Sequence, residues 1–328
     1  MESCVPSTFS WNLFEQVTFY NVNVGKLISD MTKKIYPTMF KTIITLPPNY
    51  YDQSDAFSKN ASESFDRAVN LQRSMAKLNE ATSYRIFEKL TMIRVYHSNA
   101  IEGSQLSLQD TISFLQDDII NEQKPVLDHL DALGHAAAIG LVGSTLRQGE
   151  KVDQNFVCEV NELLTKHTTT IAIASSTEVA STSGMYKQTP NSIKLASGQI
   201  HETVDPEQVV QEMIELFHFC EHSTAHPIVK AAIAHFNFIR IHPFEHGNGR
   251  GARILMNLIL QRHDLPPAVI KVEDKDQYLN CLHLAENGDI VPFIEFVASS
   301  LEDTIKLVVD ACVNESEGAV TNSIPMSC

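Results

Sequence analysis

Several common architectural signals are missing from this chain of 328 residues. Its six cysteines (Cys4, Cys158, Cys220, Cys281, Cys312 and Cys328) are scattered and form no CxxC pair. That excludes a disulfide scaffold and a zinc ribbon, and points to free thiols in a reducing compartment. Positive charge is scarce: 25 Lys and Arg stand against 40 Asp and Glu, for a net charge of −15. Such a balance argues against a nucleic-acid backbone or an anionic membrane as the main partner. No apolar run approaches the roughly 20 residues needed to span a bilayer. The opening MESCVPSTFSWNLFEQ lacks the basic stretch and apolar core of a signal peptide. A soluble, cytoplasmic protein is expected. There is no internal repeat and no low-complexity segment.

What is present is an ordinary globular composition, 43% hydrophobic and 20% charged, enough for one large domain or two smaller ones. Residues 1–62 read as an N-terminal extension without a legible role: Val17 to Tyr36 fits a helix, or a strand followed by one, and DQSDAFSKNASES fits a loop. Residues 63–149 read as helical. Ala68, Leu71, Met75 and Leu78 recur at three- and four-residue steps, and Ile86, Leu90, Ile93 and Val95 suggest a second helix. Ser107 with Asp110 looks like a capped helix start, and Leu130, Leu133, Ala137 and Leu141 mark one face of a helix from Val126 to Leu146. Residues 150–310 form the core region and 311–328 a polar tail. In the core, Phe156 to Thr165 is helical, and the Ser-, Thr- and Ala-rich TTTIAIASSTEVASTSG reads as an inserted loop. Two alternating segments around Ser197-Gly198 predict a small hairpin. Pro206 then opens a helix, where its missing N–H costs nothing. The expected fold is mostly α, a helical bundle with one β-hairpin.

Three of the 13 glycines fall within twelve residues, His242-Pro243-Phe244-Glu245-His246-Gly247-Asn248-Gly249-Arg250-Gly251-Ala252-Arg253. Apolar residues at helical spacing flank this stretch: Ile228, Ala232, Ile233, Phe236 and Ile239 before it, Ile254, Leu255, Leu258 and Ile259 after it. A polar, glycine-bearing loop between two buried helices is costly to build for stability alone. The glycines allow positive φ, so successive backbone N–H groups can turn toward one point. The helix that follows adds its unpaired N-terminal donors and the positive end of its dipole. Together they predict a cradle for a di- or triphosphate. Arg250 and Arg253, three apart, can face the same ligand in forked geometry, and His242 has a pKa suited to taking a proton from a hydroxyl.

HPFEHGNGRGAR resembles the Fic motif, HPFx(D/E)GN(G/K)RxxR, of enzymes that transfer AMP from ATP to protein hydroxyl groups. Ser98-Asn99-Ala100-Ile101-Glu102-Gly103 resembles the inhibitory-helix signature (S/T)xxxE(G/N) of one branch of that family. The hairpin after Gly184 falls where the family has its target-positioning flap, and YLNCLHLAENGDIVPFIEF resembles the stretch after the motif. The similarity spans about Ser64 to Val309, so residues 150–310 would be a Fic catalytic core. It implies that His242 is the base, that Phe244 anchors the loop, and that Gly247, Asn248 and Gly249 cradle the α- and β-phosphates with Arg250 assisting. Arg253 would bind the γ-phosphate or be neutralised by Glu102, and Tyr278 would approach the adenine. ATP would be the substrate, with Mg²⁺ or Mn²⁺, and a target protein would dock along the flap. Removal of AMP from a modified target and a homodimer are both compatible with the resemblance.

The match departs in two places. Lys187 stands where the flap commonly has Arg, and His246 replaces the acidic residue that holds Mg²⁺. Mg²⁺ prefers oxygen ligands, so an imidazole suits it poorly. Three outcomes follow: a softer ion such as Mn²⁺, transfer of a different group, or a pseudoenzyme that binds nucleotide or a partner with little catalysis. The same substitution creates a rival string, His242-x-x-Glu245-His246, the HxxEH pattern of inverted zinc peptidases, which requires all three residues on one helix.

Overall fold

Helices dominate the computed structural model, which describes residues 47–52, 80–175, 182–194 and 200–316. In chain order they are α1 (Glu80–Ile101), α2 (Leu108–Asp117), α3 (Val126–Gln148), α4 (Gln154–Ser175), α5 (Pro206–His222), α6 (Pro227–Ile241), α7 (Asn248–Arg262), α8 (Lys275–Glu286) and α9 (Val291–Ser316). Between α4 and α5 the strands β1 (Ser192–Lys194) and β2 (Ile200–Glu202) pair antiparallel, with Ile193 opposite His201. The expected helices at Val17–Tyr36 and Ser64–Leu78, the Ser197-Gly198 turn and the end of the tail lie outside the described residues. No described helix is long and apolar enough to cross a membrane.

The centre of the bundle is α6. A helix apolar on every side must be enclosed, and here Ile228, Val229, Ile233, Phe236, Phe238 and Ile241 are all buried. It starts at Pro227, with the His226 side chain accepting from the Ile228 N–H at 3.3 Å. It ends at His242, whose φ of 49° is left-handed. The chain reverses through residues 243–247 and returns as α7, packed along α6. Phe244 drives the reversal inward: its ring is 1% exposed and packs beside Phe238 and Tyr186. The polar loop is thus pinned by one aromatic anchor between two buried helices.

The Ser107 start is a reciprocal capping box: Asp110 N–H donates to Ser107 Oγ at 3.1 Å, and Ser107 N–H to Asp110 Oδ2 at 2.9 Å. One expectation is corrected. The Thr-rich stretch from Thr168 is not a loop at its start, because α4 runs on to Ser175. Thr and Ser have only modestly poor helix propensity, and a helix already nucleated over Gln154–Thr165 extends through them at little cost per residue.

Candidate active site

Gly247 takes the N-cap position of α7 with φ 81° and ψ 6°, a conformation that a side chain would strain. A Cβ there would also lie 2.9 Å from the Thr165 methyl. The first hydrogen bond of the turn runs from Gly251 N–H to the Gly247 carbonyl at 2.9 Å, so the N–H groups of Asn248, Gly249 and Arg250 are left for a ligand. From α4, Asn161 Nδ2 donates to the His246 carbonyl at 2.8 Å while its Oδ1 accepts from Gly184 N–H at 3.0 Å. That amide ties the loop to the segment leading into the hairpin. Nothing in the spacing of the sequence singles it out.

The side chain of Asn248 is not free to meet a phosphate. Its Oδ1 accepts from Phe244 N–H at 3.0 Å and its Nδ2 donates to the Phe244 carbonyl at 2.7 Å. It is a clamp that holds the loop closed, and only its backbone can serve the cradle.

The two arginines also part company. Arg253, 5% exposed, donates from Nε to Ser98 Oγ at 2.8 Å, and from Nη2 to the Ser98 carbonyl at 2.9 Å and Glu102 Oε1 at 2.7 Å. Ser98 and Glu102 are four apart on α1, hence on one face, which is the physical content of the S-x-x-x-E spacing. Arg250 instead lies 3.0 Å from Asp131 Oδ1 on α3, a partner the sequence did not reveal. Loss of water would raise the Glu102 carboxyl, but Arg253, then Arg250 and Lys275, outweigh this and hold it below its ordinary value. Its Oε1 lies so close to Gly249 that an added Cβ would stand 2.3 Å from it. Lys275 Nζ, at 2.7 Å from the Ile101 carbonyl, secures the same helix end.

Tyr278 lies in the core. It is 2% exposed, its hydroxyl meets His235 Nε2 at 3.1 Å, and its ring lies among Phe293 and Phe296. It also interacts with Arg253, the guanidinium opposing the rise that burial gives the phenol.

His242 caps α6, its N–H donating to the Phe238 carbonyl at 3.0 Å. Its buried Nδ1 has no hydrogen-bond partner among the described residues. Burial, then the ammonium of Lys187, push its pKa down to about 4, against a weaker opposing pull from the Ile239 carbonyl. His246 is exposed and outside any helix. Glu245 accepts from Thr189 Oγ1 at 3.1 Å. The zinc-peptidase arrangement fails on this geometry, because His242 ends one helix while Glu245 and His246 lie in the turn beyond it. Among the described residues no three His, Cys, Asp or Glu side chains come together as a metal site.

The match to known proteins agrees with this geometry. Residues 151–260 match the model of the Fic/DOC family. The chain belongs to the Fic/DOC family. It is 30% identical over 264 residues to the protein adenylyltransferase fic-1 of Caenorhabditis briggsae, covering 78% of this chain and 49% of that one. It is 34% identical over 215 residues to protein adenylyltransferase Fic of Nematostella vectensis, covering 64% and 47%. The chain therefore spans about half the length of these curated relatives. Among solved structures, a Fic domain containing signaling protein from Bacteroides thetaiotaomicron superposes with a TM-score of 0.67 at 26% identity, covering 78% of this chain and 97% of that one. Fic-1 from C. elegans gives 0.66 at 26%, covering 78% and 73%. The Fic fold is the arrangement described above: α6, the motif turn and α7 at the centre, with α1 laid over the motif.

A pH dependence follows from the buried histidines of this Fic domain. His97, His135, His235 and His242 are all held below the ordinary value of ~6.5, in each case chiefly by burial. They stay neutral when folded, whereas the unfolded chain takes up protons below ~6.5. Stability therefore rises with pH between about 4 and ~6.5. Moving from pH 7 to pH 5 is expected to lower the melting temperature by more than about 5 °C. A melt independent of pH over that range would show that these imidazoles are not buried neutral.

Proposed function

We propose that this chain is a protein adenylyltransferase held in an inhibited state by its own α1. The observation that carries the reading is the carboxylate of Glu102, which sits 2.7 Å from Arg253 over Gly249. The start of α7 is built for an anion, and the anion now there belongs to the protein. When α1 yields, a triphosphate takes that place: Gly247 shapes the turn, Asn248, Gly249 and Arg250 offer backbone N–H groups, Arg253 meets the γ-phosphate, and the Arg250 side chain assists once it exchanges Asp131 for phosphate. The oxygen of a Ser, Thr or Tyr on a target protein then attacks the α-phosphorus. The bond to pyrophosphate breaks, pyrophosphate leaves, and the hydroxyl proton passes to His242. A pKa of about 4 makes His242 a weak base in the inhibited state. Polyphosphate charge beside it raises that value toward neutrality, where a general base works best. The target would dock along β1 and β2 by adding a strand. In this reading residues 63–149 carry the inhibitory element and 150–310 the catalytic core.

The residues at the motif do not suit Mg²⁺. An exposed imidazole at position 246 replaces a carboxylate, and a hard cation gains little from nitrogen. His246→Asp, made in a Glu102→Gly background, is expected to raise Mg²⁺-dependent labelling by about ten-fold, or ~1.4 kcal/mol. Equal labelling with either residue would mean that position 246 has no part in metal binding.

The test of the function is the intact mass of Glu102→Gly protein incubated with each nucleoside triphosphate and either Mg²⁺ or Mn²⁺. Addition of one adenylyl group supports the reading. A different added mass names another transferase, and no addition under any condition leaves a nucleotide- or partner-binding module.

A further inference from the structure

We propose that Lys187 is a positioning residue that locks the base of the hairpin to the end of α6 and so fixes the backbone from which His242 projects. The side chain is 3% exposed, and its three N–H donors find three oxygens. Nζ donates to Asn191 Oδ1 at 2.7 Å, to Thr203 Oγ1 at 2.6 Å and to the Ile241 carbonyl at 3.3 Å. These partners come from the residue before β1, the residue after β2 and the last turn of α6. One main-chain bond and one side-chain amide close the same joint. Lys187 N–H donates to the Pro243 carbonyl at 2.8 Å, and Asn191 Nδ2 to the Phe244 carbonyl at 3.0 Å. The two ends of the hairpin therefore meet the motif turn at one ammonium.

A buried ammonium is expensive to keep, and among the described residues no carboxylate forms an ion pair with it; Glu245 and Asp205 act only at longer range. Its place explains it. The carbonyl end of α6 carries the negative pole of the helix dipole, which a cation there offsets. The next residue, His242, holds a left-handed φ of 49° that a side chain adopts only under constraint. Lys187 supplies the constraint. Its charge has a second effect, since a cation near the imidazole disfavours a second positive charge there. Burial comes first in holding His242 low and Lys187 second, with Glu102 opposing and His246 adding slightly. The role of this lysine in catalysis rests on the reading of His242 as the base; its structural role does not.

The test uses the full chain and compares Lys187→Gln, Lys187→Arg and Thr203→Val. Hydrogen exchange at the amides of Lys187 and Thr203 is expected to quicken by about ten-fold or more in Lys187→Gln. The effect should be smaller in Thr203→Val, which removes one oxygen and keeps the charge. The His242 ring, followed by NMR, is expected to titrate about one pH unit higher in Lys187→Gln and close to wild type in Lys187→Arg. A merely structural lysine would not move that titration. If Lys187→Gln fails to fold, unchanged exchange in Thr203→Val overturns the locking role. A folded Lys187→Gln protein with wild-type exchange and titration overturns the proposal outright. Either result stands apart from the labelling of Glu102→Gly protein, so the transferase reading and this one fail separately.

Discussion

Glu102→Gly protein is expected to take up label from ATP about ten to a hundred times faster than the wild type, a shift of ~1.4 to 2.8 kcal/mol. The size follows from what the substitution removes. The guanidinium of Arg253 is 6% exposed and shares one charge-assisted bond with Glu102, of a kind worth about 1.5–3 kcal/mol. Its other bonds, to Ser98 Oγ and the Ser98 carbonyl, stay in place and keep the arginine aimed. Removal of the carboxylate does two things at once. It frees Nη2 for a phosphate oxygen, and it clears the space above Gly249. Like charge adds to the effect, because a carboxylate there repels the triphosphate it displaces. Labelling at the wild-type level with both Mg²⁺ and Mn²⁺, in a protein that melts normally, would show that Glu102 is not the brake.

Adding His242→Ala or His242→Asn to that variant is expected to reduce labelling by about a thousand-fold, within the usual worth of a general base. Two substitutions are needed because position 242 has two duties. Its backbone is left-handed, which Asn tolerates far better than Ala, while neither side chain can take a proton. A loss shared by both variants isolates the imidazole. Loss in Ala with activity kept in Asn would mean that the backbone bend, not the base, is what the site requires.

The helices were readable wherever apolar residues recur at helical steps. Ile86 to Val95, Val126 to Leu146 and Pro206 onward lie in helices close to the expected bounds. The Thr- and Ser-rich end of α4 was not, because weak propensity is a poor guide once a helix has a nucleus. Arg250 and Arg253 were expected to work as a pair because they are three apart on α7. Their spacing does place them on one side, yet α3 and α1 present each with its own carboxylate, and that depends on helices more than a hundred residues earlier in the chain.

What the sequence determined alone is the chemistry of the turn. Positive φ at Gly247, a helix start behind it, a histidine before it and two guanidiniums after it are local facts, set by residue types within twelve positions. What only the tertiary structure decided is who occupies that turn. Glu102 lies over Gly249, Asn248 closes on Phe244, Tyr278 is buried beside His235, and Lys187 joins the hairpin to the Ile241 carbonyl at the end of α6. Those contacts arise where separate helices and the hairpin pack around α6 and its turn, and burial there favours a partner for each charge and donor. Spacing along a chain cannot name that partner when it comes from another helix.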